Sequence, residues 1–154
     1  MSTYRKSIFD DNANMEIKKR IESLKPEARA AWGKMDVAQM LAHCSAAAEM
    51  VLGKTPFTDK SNFLSRTLLR WIVLSAVRKG SFGQDKPTLA ELKIEGPRNF
   101  EKEKSKLLRY LDELLYTGKR AKIGPHPYFG KFSNQDWGRL QYEHFNHHLN
   151  QFSA

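Results

Sequence analysis

The chain has 154 residues, 40% of them apolar and 28% charged, with a formal net charge of +9. That length and composition suit one globular domain, residues 1–154, with enough apolar material for a core, and do not suit a disordered or fibrous chain. No apolar run approaches the 18 or more residues of a membrane span, and the single cysteine, Cys44, has no partner for an internal disulfide.

The absence of a signal-like start and of disulfides leads to the expectation of a cytoplasmic protein. The positive charge raises nucleic acid as a partner, but the cations are scattered and many stand beside acids, as in EKEKSK. A solvated surface is the expected reading, and nucleic acid is not an expected partner.

Helical periodicity recurs along the chain, and no stretch carries a strong strand pattern. The first helix is expected over about Asn12 to Leu24, with Met15, Ile17, Ile21 and Leu24 apolar and Pro26 beyond its end. A second follows Asp36, a good N-cap, and runs through VAQMLAHCSAAAEMVL to Gly53. A third, about Asn62 to Arg78, is basic and amphipathic, with Phe63, Leu64, Leu68, Leu69, Ile72 and Val73 as its apolar positions and Gly80 at its end. Such a helix either lies on an anionic membrane or covers the core, and core-covering is the expectation. A fourth is expected from Arg98 to Tyr116, ending before Gly118. The fifth opens on Ser133, with Asp136 three residues on, and runs to the C-terminus. Two long connections, 80–97 and 117–132, are rich in Gly, Pro and Lys, and connections of that length are often functional. The sum is an all-α protein, a helical bundle with one extra helix in its crossover.

Three of the five histidines fall in EHFNHHLNQF, residues 143–152. At about 100° per residue, His144 and His148 sit at the centre of the fifth helix's apolar face and His147 at its edge, where a surface position is expected. Imidazoles four residues apart have Cβ atoms about 5–6 Å apart and can share one ion. Without partners they would instead cost about 1–3 kcal/mol each. Phe145 stands where a zincin-type H-E-x-x-H motif needs glutamate, which argues against that protease chemistry. His43, on an apolar flank of the second helix, is either a hydrogen-bonded core histidine or a third imidazole meeting this pair across the bundle.

WGKMDVAQMLAHC, residues 32–44, resembles the second-helix start of the DinB/YfiT-like superfamily, and EHFNHHLNQF resembles its last helix. HPYFGKFSNQDWGRLQYEHFNHHLNQF is similar, more narrowly, to an uncharacterised branch with an H-P-x-F-G loop. The resemblance implies a DinB-like four-helix bundle with an extra helix between its second and third bundle helices. It implies one divalent metal (nickel, zinc, iron or manganese) on His43, His144 and His148. Characterised relatives are thiol transferases and thiol-dependent isomerases. The implied activity is therefore thiol transfer or hydrolysis on a small-molecule substrate, with a low-molecular-weight thiol as cofactor. Bundles of this type often dimerise, so a homodimer is an expectation. The alternative is a non-catalytic bundle that binds a small ligand or a protein.

Four further residues are weighed around that site. His126, in GPHPYFG, either lines the site or packs on Tyr128 or Phe129. Gln141 and Gln151 flank the histidines and either orient them or form polar ends, and Gln141 is expected to be partly exposed. Cys44 points about 100° away from His43 and reads as a small core residue. No protein-derived general base stands out.

Overall fold

The helices take their ends from short-range signals and their order in space from a few buried side chains. In the computed structural model, which describes residues 5–80, 82–84 and 88–154, they are α1 (Asp11–Ser23), α2 (Val37–Leu52), α3 (Arg70–Lys79), α4 (Phe100–Arg120) and α5 (Asn134–Gln151). A π-helical turn, Ser65–Leu69, leads into α3, and a 3₁₀ turn, Ala90–Leu92, interrupts the crossover. The described residues contain no strand; an isolated bridge joins His126 and Gly130. Residues 81 and 85–87 of the expected 80–97 connection lie outside the described residues. No helix among the described residues is long and apolar enough to cross a membrane.

Four helices make the bundle: α1 packs on α4 and α5, and α2 packs on the same two. The extra helix, α3, leans on α5 from outside. Helix α2 is buried on most of its circumference, from Val37 to Val51, so it is the central element. Its start is a capping box in which Asp36 accepts from Gln39 N at 2.8 Å and Gln39 Oε1 accepts from Asp36 N. Ser133 and Asp136 form the same device at α5, as their spacing predicts.

Two expectations about apolar positions need correction. In α1 the buried face is Ala13, Asn14, Ile17 and Ile21, and Met15 is exposed. Asn14 takes the core position because its Nδ2 donates to the Ile8 carbonyl (3.0 Å) and the Leu111 carbonyl (2.9 Å), which removes the penalty of burying an amide. In the third helix only Ser65, Leu74 and Val77 are buried, so it does not cover the core with its large side chains.

Helix α4 runs through Gly118 instead of ending before it. Phe9 explains both that glycine and Gly138 in α5. A Cβ on Gly118 would stand 2.1 Å from Phe9 Cγ, and one on Gly138 would stand 2.1 Å from Ser7 Oγ and 2.7 Å from Phe9 Cδ2. Ile8 N donates to the Gly138 carbonyl at 2.9 Å. The segment 7–9 is thus inlaid between the two helices at the only side-chain-free points they offer it. Arg20 then ties α1 to the C-terminal half of α5, donating to Asn146 Oδ1 (2.7 Å), Asn150 Oδ1 (2.8 Å) and the Ala154 carbonyl (2.7 Å).

Candidate metal centre

His43 of α2 faces His144 and His148 of α5 where these helices pack, and each ring contributes one nitrogen to a group lying within 4.8 Å. The three ring centroids are 4.6–4.8 Å apart.

The hydrogen bonds decide which nitrogen of each ring faces inward. His43 Nδ1 is 2.8 Å from the Leu92 carbonyl, which can only accept, so the His43 proton is on Nδ1 and Nε2 carries a lone pair. His148 Nδ1 is 2.9 Å from Gln151 Oε1, while Gln151 Nε2 donates to the Trp32 carbonyl at 2.7 Å. Gln151 therefore presents its oxygen to His148, and His148 Nε2 is likewise left bare. His144 Nε2 stands 2.9 Å from His43 Nε2, and its Nδ1 is buried without a partner.

Two nitrogens bound to one tetrahedral ion at about 2.0–2.1 Å stand about 3.3 Å apart. The 2.9 Å between His43 and His144 is within a few tenths of an ångström of that. Burial keeps all three rings neutral at pH 7. It pushes His148 down to about 3 and His144 well below the usual histidine value, and it lowers His43 against the opposing pull of the Leu92 carbonyl. Neutral imidazole is the form that donates to a metal.

The structure places the other candidates differently. Gln151 is buried and holds His148, as an orienting residue would. Gln141 is also buried, not partly exposed: its Nε2 donates to the Ala47 carbonyl at 3.2 Å, and no hydrogen bond joins it to a histidine. A helical wheel locates its direction on α5, but only the packing of α2 shows that the direction is covered.

His126 belongs to another cluster. It stacks on Phe129 and Trp137 with centroids 4.5 and 5.0 Å away, and its Nδ1 accepts from Tyr128 N and Phe129 N. Trp137 precedes His144 by about two helical turns, so His126 is a loop anchor, the packing alternative of the two read from sequence. Cys44 is buried with Sγ 3.8 Å from Met40 Sδ, and burial pushes its thiol up, away from nucleophile chemistry.

His147 is half-buried, not a free surface residue. Its ring lies 5.1 Å from His148, 5.7 Å from Trp32 and 6.1 Å from Phe82, and it lines a pocket of about 180 Å³ with Trp32, Phe82 and Glu143. Burial raises the Glu143 carboxyl. The carbonyls of Trp32 and Leu92 and the ring of Phe82 escape sequence reasoning. A carbonyl has no side-chain signature, and a phenylalanine in a Gly-rich connection shows no periodicity.

The family model described as "Protein of unknown function (DUF1569)" matches residues 5–154. No curated protein matches the chain, and no solved structure does.

Proposed function

The chain belongs to the DUF1569 family, and we propose that it is a metal-dependent enzyme holding one divalent cation on His43, His144 and His148. The observation that carries the reading is the convergence of three neutral imidazole nitrogens from two helices, with two of the rings locked by acceptors on Nδ1. Second partners of this kind are what metal-bound histidines use to fix their tautomer. The resemblance of residues 32–44 and 143–152 to DinB/YfiT-like proteins supports the same ligands.

Nickel, zinc and iron suit an imidazole set, and manganese would need oxygen from outside it. Three protein ligands leave a position for substrate, which is the arrangement of catalytic sites. The chemistry supplied by a divalent ion there is Lewis acidity, which makes a thiol or a water nucleophilic at neutral pH. The chain's own residues would do the rest. Leu92 and Gln151 hold the rings, Trp32, Phe82 and His147 wall the adjoining pocket, and Glu143 stands in it as a carboxylate available to take a proton. The favoured substrate is a small electrophile, with a low-molecular-weight thiol as the group transferred.

A second reading, a non-catalytic ligand-binding bundle, draws on the 2.9 Å contact between His43 and His144, which lets the pair satisfy one another without an ion. Elemental analysis of untagged protein separates the two. The expected result is near one metal per chain, lost in His148→Ala with helicity retained. A protein that stays metal-free after reconstitution would move the assignment to the second reading.

A further inference from the structure

The helical segment leading through the π turn into α3 leaves six large apolar side chains in solvent: Phe63 is 85% exposed, Trp71 63%, Leu64 55%, Leu68 50%, Ile72 46% and Leu69 43%. Single exposed apolar residues need no explanation, but six within ten consecutive positions make a patch, and patches mark binding surfaces. The π turn contributes to this, because its wider turn rotates Phe63 and Leu64 relative to the α3 face that rests on α5.

Charge says what the patch fits. Residues 60–79 hold Lys60, Arg66, Arg70, Arg78 and Lys79 and no Asp or Glu. Lys60 pairs with Glu91, and Arg66 with Asp59. Arg78 and Lys79 are exposed and have no ion-pair partner among the described residues. At about 100° per residue, Trp71, Ile72, Arg78 and Lys79 fall within about 120° of one another, with the buried Val77 on the opposite side and the buried Leu74 bordering the arc beside Arg78. A second copy of the chain placed on this face would set cations against cations, and the whole molecule already carries +9. An anionic lipid surface takes both components at once: apolar side chains enter below the headgroups and cations meet the phosphates. Tryptophan is the side chain that favours that depth.

We propose that the exposed face of Phe63–Ile72, with Arg78 and Lys79, docks the protein on an anionic lipid bilayer. The test is co-sedimentation with phosphatidylcholine vesicles with and without phosphatidylserine, at low and high salt. The expected result is binding to the phosphatidylserine vesicles that weakens with salt, together with a blue shift of tryptophan fluorescence. Each cation at such a surface is worth roughly five-fold in partitioning, so Arg78→Gln with Lys79→Gln should lose roughly twenty-five-fold. Leu68→Ser with Trp71→Ser should lose at least about tenfold and most of the blue shift. All four positions are exposed, and metal content should be unchanged in both variants. Failure of either variant to bind lipid is therefore separable from failure of the metal centre. Absence of binding, or equal binding to both vesicle types, overturns the proposal. So does self-association that Leu68→Ser with Trp71→Ser abolishes in a protein that ignores vesicles, which would assign the face to contact between copies.

Discussion

A single amide does much of the ordering in the histidine cluster. Gln151 Oε1 accepts a hydrogen bond from His148 Nδ1 while its Nε2 donates to the Trp32 carbonyl, so its two ends are distinguishable and His148 Nε2 must face inward. Gly33 makes this approach feasible: its φ is +82°, and a Cβ there would stand 2.7 Å from Gln151 Nε2. Gln151→Leu removes the acceptor while keeping the side chain's bulk. Its metal affinity, read by competition with a chelator, should fall by about 10–100-fold. Gln151→Glu, which keeps an acceptor for His148 but loses the donor to Trp32, should fall between the two. Gln151 was legible as an orienting residue because it sits one turn from His148 on the same face. Gln141 has equal standing by that criterion and does something else, since α2 offers it the Ala47 carbonyl.

Among the elements, α4 and α5 are positioned by what they lack. Alanine is normally about 1 kcal/mol better than glycine inside a helix. At Gly118 and Gly138 the sign should reverse, because the added Cβ would overlap Phe9 or Ser7 at 2.1 Å. Each Gly→Ala variant should be destabilised by about 1–3 kcal/mol, measured by urea unfolding. An unchanged or raised midpoint would mean that segment 7–9 yields easily and is not an inlay. The third helix shows the opposite limit of local reasoning. Its apolar residues announce an amphipathic helix, and it forms, but periodicity alone assigned its large side chains to a core that lies on its other side.

For the molecule as a whole, acid sensitivity follows from burying histidines neutral. Outside the candidate metal centre the group to watch is His126, which burial pushes down to about 4. The unfolded chain takes up this proton near pH 6.5, the folded chain only near 4, so unfolding binds a proton between those values. Stability from this group is complete above about pH 6.5 and is lost as pH falls through that value towards 4. Between pH 7.5 and pH 5 the loss should be about 2 kcal/mol. His126→Asn, whose Oδ1 can still accept from the loop amides, should be less stable at pH 7.5 but show a shallower decline, measured by denaturation at each pH. A parallel decline in both proteins would place the acid sensitivity elsewhere.

The sequence by itself determined the all-α architecture, the number of helices, the Asp36 N-cap, the Ser133–Asp136 capping box and the His144–His148 spacing, while His43 stayed open between a core histidine and a third ligand. These features are local: hydrophobic period, cap and ligand spacing are each set within a turn or two of chain. Tertiary structure decided how the rings are used. His43, Leu92, His148 and Gln151 come from three separate parts of the chain, and the inward direction of the His43 and His148 nitrogens depends on a carbonyl supplied by the crossover and an amide at the helix end. Backbone carbonyls are present at every residue, so sequence cannot mark the two that matter here. Only the packing of helix against helix selects them.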